Sequence, residues 1–281
     1  MYHSITFYDN SGFSTEKAPD SHGSGLYSPV NTTDDWKIVP LKRPAIASPS
    51  VKTITTDIPG ANGVLDFTSA LTGIPYFNNR AGSIEFMVLN DFRKWNEAYS
   101  DIMATLHGKK VKFVLEDEPD YYYEGRTTVD TWDSSDQHWS HIMINYDVKP
   151  FKKSVSLSTD DWLWDPFNFE TGVITQSMFS MSINTTKDNP VIIPDDLELY
   201  KLYPFGQEGI MPTFKVSDST DGIYISLTNP EMGIKTEYVK FSNGSTKSYD
   251  FILSQINQNN RPRLSVYGTG KLEIEFRKGM L

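Results

Sequence analysis

The stretch from Asp57 to Gly82 constrains this chain more than any other, because it is turn chemistry wrapped around short apolar words. Pro59-Gly60 sets up one turn, since proline presets φ near −65° and glycine accepts positive φ. Asn62-Gly63 sets up a second close behind it. Val64, Leu65 and Phe67 make a strand-like word and Tyr76-Phe77 another, while Val51 to Ile58 reads as the strand that leads in. Asp66 and Arg80 are candidates to pair once the chain folds back. No nucleophile, base or metal cluster sits in the stretch, and shaped loops of this kind are commonly used to touch something.

The flanking sequence says what carries the loop. Ile5 and Phe7 alternate with polar neighbours, an edge-strand pattern, and Asn10 to Tyr27 reads as a long polar arm. Trp36, Ile38 and Val39 form a short word stopped by Pro40, after which Pro44 and Pro49 keep the chain extended. Ser83 to Leu89 reads as a strand. One helix is convincing, over about 90–107: Asn90 or Asp91 caps it, Phe92, Trp95, Tyr99, Ile102, Met103 and Leu106 share a face, and His107-Gly108 closes it. Lys110–Leu115 and Tyr121–Trp132 make a hairpin around the acidic run Glu116–Asp120, and Trp139–Val148 adds a strand.

Pro150 to Asp160 is basic and then Ser-rich, with little to bury, and marks a boundary. Beyond Gly172 short strands recur between turn signals at Asp221-Gly222, Asn229-Pro230, Asn243-Gly244 and Gly268-Thr269-Gly270, the last read as a hairpin turn between Leu264–Tyr267 and Lys271–Phe276. The expected fold is mainly β: an α+β N-terminal domain over 1–153 with one main helix packed on β-sheets, then a β-sandwich over 154–281.

Composition removes several function classes. The 281 residues contain no cysteine, so a disulfide framework, a thiolate metal site and Cys catalysis are excluded. A net charge of −10 argues against tight nucleic-acid binding, which needs clustered Lys and Arg. Residues 1–30 show no signal-peptide pattern and no apolar run is long enough to span a bilayer, so neither secretion nor membrane insertion is expected. His138 and His141 are close in sequence, but a spacing of three on a strand sends them to opposite faces, a poor metal pair. The run Glu116–Asp120 lacks the spacing of an EF-hand and reads as a solvated hairpin tip. No Gly-x-Ser-x-Gly elbow is present. Asn31, Asn184 and Asn243 begin glycosylation sequons that are discounted without a secretion signal. The aromatic word Trp162–Phe167 reads as an anchor at the boundary, with a sugar platform as its alternative. The chain is therefore expected to have no catalytic residues, no metal and no cofactor.

Several ordered words resemble the phage distal tail (Dit) protein family. They are Asn31-Thr-Thr-Asp-Asp-Trp36 through Pro40 with Arg43-Pro44; Asp57-Ile-Pro-Gly60 through Thr68; Tyr76, Asn79-Arg80, Gly82-Ser83 and Phe86; Leu106 to Lys109; Tyr122 to Arg126; Trp162 to Glu170; and the tail from Gly268 to Leu281. The resemblance covers nearly the whole chain. It implies a structural virion protein at the distal tail tip of long non-contractile tails, made in the bacterial cytoplasm. In that family a hexameric ring is built by a tail-tube-like N-terminal domain, and a galectin-like C-terminal domain faces outward. The implied partners are other copies of the chain, the tail tube protein, the tail-associated hub protein and a receptor-binding protein, with DNA only passing through the lumen. The polar arm after Asn10 is longer than the family needs, and there is little room for an inserted carbohydrate-binding module.

A ring repeats one heterologous interface, so each subunit needs two different complementary patches. Arg43, Asp66, Tyr76, Arg80 and Arg126 are the candidate oligomer-interface residues, with intrachain pairing as the competing role of the arginines. The alternative reading of the whole chain is a cell-wall carbohydrate-binding module or glycan-acting enzyme, suggested by the aromatic-rich second half.

Overall fold

A computed structural model describes residues 3–9, 29–60, 62–70, 75–130, 132, 140–158, 167–168, 173–174, 179–193, 205–229, 233–254 and 262–281. The polar arm after Asn10, most of the aromatic word from Trp162, and His138 lie outside the described residues. The protein is mainly β, with one α-helix among the described residues. It divides into two compact units, residues 1–152 with Leu281, and residues 153–280. No helix among the described residues is long and apolar enough to cross a membrane.

In the first unit the strands are β1 (Ile5–Asp9), β2 (Val30–Asn31), β3 (Ile38–Pro40), β4 (Thr55–Asp57), β5 (Val64–Asp66), β6 (Arg80–Val88), β7 (Lys110–Leu115), β8 (Glu118–Val129) and β9 (His141–Val148). Seven of them form one antiparallel path in the order β2-β1-β7-β8-β9-β6-β3. Alternation builds its core, since the in-phase residues Ile84, Phe86 and Val88 of β6 and Ile142, Ile144, Tyr146 and Val148 of β9 are buried. The short segment from Thr32 to Ile38 joins β2 at one end of this path to β3 at the other and is held by two hydrogen bonds: Ile5 N–H donates to Thr32 Oγ1 and Ile38 N–H to the Thr32 carbonyl. Asn31, the first sequon asparagine, is used locally, accepting from the Thr33 and Asp34 amides.

The helix, α1 (Trp95–Leu106), lays Trp95, Ala98, Ile102 and Leu106 into this core. It is preceded by a 3₁₀ turn, Phe92–Lys94, that Asp91 caps by accepting from the Arg93 amide at 3.0 Å. That lead-in turns Phe92 out to solvent, so it does not join the face on which its spacing places it. Gly108 ends the helix at φ 71°. The β7–β8 tip is tighter than expected: only Glu116 and Asp117 form the turn, and Glu118 already belongs to β8.

The second unit centres on one thirteen-residue strand, Arg263–Glu275. Its first half pairs with Ile223–Asn229 and Val191–Ile193, and its second half with Thr213–Ser217 and Ser180–Thr185. This corrects the reading of Gly268-Thr269-Gly270 as a turn between two strands. The glycines are a bend inside a continuous strand, at φ 130° and 143°. A Cβ at Gly268 would lie 2.7 Å from the Gly222 carbonyl oxygen, and one at Gly270 2.8 Å from that of Ser217, so the bend needs both the conformation and the missing side chain. On either side of it Leu264, Val266, Leu272 and Ile274 are fully buried around one core with Phe214, Phe251 and Ile225. Gly244–Lys247 forms a strand directly after the Asn243 turn and pairs with Thr213–Ser217.

Candidate functional site: an exposed hairpin

The turn-rich stretch folds as a β-hairpin that leaves the first unit. Strand β4 pairs with β5 in the register Thr55↔Asp66, Thr56↔Leu65 and Asp57↔Val64. The ladder continues through the Phe67 N–H to the Ile54 carbonyl, the bridge Val51↔Phe77, and the Asn78 N–H to the Ser50 carbonyl. The turn glycines do what their chemistry predicts, Gly60 at φ 80° and Gly63 at φ 83°. Phe77 meets Phe151 edge to face at 6.0 Å, which plants the base of the hairpin on the sheet.

Beyond that base the hairpin buries none of its described residues. Every described residue from Ser50 to Phe67 is exposed. Its side chains are nonetheless sorted. Residues opposite one another in a ladder share a face, as do residues two apart in a strand. Thr56 and Leu65 are opposite, so Ile54, Ile58, Leu65 and Phe67 lie on one face, and Thr55, Asp57, Val64 and Asp66 on the other. The four apolar side chains of the first face are between 41% and 58% exposed. An isolated two-stranded hairpin is marginal in water, and an uncovered apolar face on one calls for a partner surface.

The candidate interface residues are not gathered into one place. Asp66 is on the polar face of the hairpin and accepts from the Thr68 amide at 2.8 Å; hydrogen bonds from Thr68, side chain and then backbone, hold its carboxyl below its usual value. Tyr76 is exposed, and its carbonyl accepts from the Lys52 amide. Asp66 and Arg80 do not pair within the chain. Arg80 is only 6% exposed; its Nε donates to the Pro150 carbonyl at 2.7 Å, and its guanidinium lies 5.8 Å from the centre of the Tyr123 ring. The fold has drawn this arginine inside, although Nη2 finds no hydrogen-bond partner. Arg126 is exposed on β8 and donates to the Gly108 carbonyl.

Arg43 stands elsewhere on the first unit, 71% exposed, with its Nε 3.1 Å from Asp117 Oδ2. His3 Nδ1 is 2.9 Å from the other oxygen of the same carboxylate. Burial works to raise the Asp117 carboxyl, but the hydrogen bonds and charges of His3 and Arg43 outweigh it and hold the group below the usual aspartate range. The acidic tip is thus a latch and not a free solvated turn: Glu116 also accepts from the Ser4 amide at 2.7 Å. Arg43 borders a groove of about 290 Å³ in which Leu41 and Pro44 face Ile84, Glu85 and Met143. Leu41 and Met143 are the exposed apolar residues there. Residue-type reasoning looked for charges and missed both the groove and the apolar face; the in-phase alternation of Ile54, Ile58, Leu65 and Phe67 is the signal that finds the face.

The second unit carries a surface aromatic cluster. Tyr224 and Tyr267, opposite in register, stack at 4.7 Å with an interplanar angle of 2°, and Tyr238 meets Tyr267 edge to face at 4.9 Å. Among the described residues no group of His, Asp or Glu is arranged to hold a metal ion.

No family model and no curated protein sequence matches the chain. Among solved structures it is similar to the SPP1 Dit protein, described as a paradigm of the hub adsorption apparatus in Gram-positive infecting phages. That alignment has a TM-score of 0.52 and 14% identity, and covers 88% of this chain and 96% of that one. Chains of the phage p2 baseplate in its activated conformation align at 0.39 with Sr and 0.40 with Ca, at 7% and 8% identity; they cover 98% and 99% of this chain and 98% of each of theirs, and scores that low carry no argument. With 88% of this chain and 96% of that one in the match, this protein has the fold of the SPP1 Dit protein.

Proposed function

We propose that the protein is a structural component of a phage tail tip, which assembles with copies of itself into a ring of six at the distal end of the tail tube. In this reading the first unit builds the ring, and the second, a galectin-like domain, faces outward. The ring joins the tube protein to the tail-associated hub protein and offers a docking point for a receptor-binding protein. Its location is the virion, and DNA passes through its lumen. The role is mechanical and not catalytic.

One observation carries the reading: the fold likeness to SPP1 Dit extends over nearly the whole of both chains. The hairpin supports it independently, since a ribbon whose apolar side chains stay exposed is material for self-association. A cyclic assembly needs two unlike patches per subunit. We assign the hairpin, with Asp66 and Tyr76, to one, and the exposed Arg43 and Arg126 to the body of the first unit. Arg80 then supports the base of the hairpin from inside. Negative-stain electron microscopy and mass photometry of the purified chain test the reading. Sixfold rings, alone or with tube or hub protein, are expected; a monomer under every condition overturns it.

A second reading, recognition of a cell-wall polysaccharide by the second unit, is favoured by the Tyr224–Tyr267–Tyr238 cluster, because tyrosine rings stack on the apolar faces of sugars. Titration with host-type wall polysaccharide decides it: binding lost in Tyr267→Ala supports it, and no binding by the intact protein rejects it.

A further inference from the structure

The sequence holds two Asn-Gly pairs, Asn62-Gly63 and Asn243-Gly244, and both are exposed. The pair is chemically distinctive. The amide nitrogen that follows an asparagine can reach that asparagine's Cγ and close a five-membered ring. A glycine, with no Cβ, obstructs the approach least. Whether the ring closes then depends on how the carboxamide is held.

The fold holds the two asparagines differently. Asn243 is clamped at both ends of its carboxamide: Oδ1 accepts from the Ser219 amide at 3.1 Å, and Nδ2 donates to the Ser219 carbonyl at 2.9 Å. The glycine after it begins the strand Gly244–Lys247, where the register sets it opposite Val216. Asn62 stands at the tip of the hairpin, outside the last ladder pair, Asp57↔Val64. Among the described residues its carboxamide has no hydrogen-bond partner. Gly63 sits at φ 83° with nothing within 4 Å of the place a Cβ would take. Loop tips of this kind are where local freedom concentrates.

We propose that Asn62 is a site of spontaneous deamidation, and that Asn243, with the same dipeptide, is protected by its clamp. The Gly63 nitrogen gives up its proton and attacks Asn62 Cγ. A C–N bond forms, closing a succinimide, and the side-chain nitrogen leaves with a proton as ammonia. Water then opens the ring at either carbonyl to give aspartate or isoaspartate, and no oxidant or cofactor is consumed. Either product adds a negative charge to a hairpin that already carries Asp57 and Asp66, and isoaspartate also lengthens the backbone at the turn. The inference stands on the hairpin and the Ser219 clamp and not on the ring reading. It places a slow, irreversible change on the element assigned to self-association.

Peptide mapping tests it. Full-length protein is aged in warm, mildly alkaline buffer and digested with trypsin, which releases Asn62 in Thr53–Arg80 and Asn243 in Phe241–Lys247. Tandem mass spectrometry is expected to find the amide-to-acid mass gain accumulating about tenfold faster, or more, at Asn62 than at Asn243, since both clamp bonds must open before Asn243 reacts. In denaturing urea the two rates should converge, because the fold and not the dipeptide separates them. An Asn62→Gln chain should lose the gain from Thr53–Arg80, because glutamine would have to close a larger, slower-forming ring. Equal native rates, faster conversion at Asn243, a gap that persists in urea, or a gain in Thr53–Arg80 that survives in Asn62→Gln would each overturn the proposal.

Discussion

Asp117 draws three parts of the first unit together through one carboxylate: the N-terminal segment by His3, the proline-rich segment by Arg43, and its own β-turn. Arg43 is largely in solvent, so its share is small, and the better-buried hydrogen bond to His3 contributes more. Asp117→Asn is expected to cost roughly 1 kcal/mol near neutral pH, measured by urea unfolding. The sign of the pH dependence follows from the lowered pKa. A carboxyl depressed in the folded state stabilises above its unfolded value, about 3.9, and loses that contribution as pH falls through the folded value. The gap between parent and Asp117→Asn should therefore close in acid; a gap that holds constant to pH 2 contradicts the latch. Glycines make a second residue-scale contrast. Gly60 is in open space at positive φ, so Gly60→Ala should cost only the conformational strain, about 1 kcal/mol. Gly268→Ala adds a contact of 2.7 Å with backbone to similar strain, and should cost roughly 3 kcal/mol or more. Equal costs would show that the bend in the long strand is not built on close approach.

At the scale of elements, what could be read from the sequence was whatever local pattern decides. Helix α1, strand β7 and the hairpin turn at Pro59–Gly63 follow from spacing and turn chemistry alone. The long strand Arg263–Glu275 does not, because two glycines around a threonine carry the same local signal whether a chain reverses or bends, and only the neighbouring backbone at Gly222 and Ser217 decides. Arg80 was read as a surface contact for a related reason: burial of a cation depends on acceptors distant in sequence, here the Pro150 carbonyl. The apolar face of the hairpin was half legible. Its residues were visible as words, but the register that puts Leu65 with Thr56 is a tertiary fact. Replacing residues 53–67 with a short Gly-Ser link should leave the unfolding midpoint of the first unit within about 2 °C, since the hairpin buries no core residue. The same change should abolish self-association in sedimentation velocity. A large loss of stability would mean that the hairpin serves its own chain.

At the scale of the molecule, two cores that share no residue make two units, each with a curled antiparallel sheet. The division of labour follows from where unpartnered surface lies: the first unit carries the hairpin and the groove, and the second a tyrosine cluster. A fragment ending at Lys152 should therefore retain self-association, and one beginning at Lys153 should stay monomeric in sedimentation velocity; the reverse pattern would move the assembly surface to the other unit. On the ring proposal, the acidic balance of the chain suits a lumen that repels nucleic acid. The central claim is that this chain builds a ring. The most direct measurement is electron microscopy of the purified full-length protein with classification of single particles: the account predicts closed rings with sixfold symmetry, and a population of monomers at every concentration, with or without tube and hub protein, contradicts it.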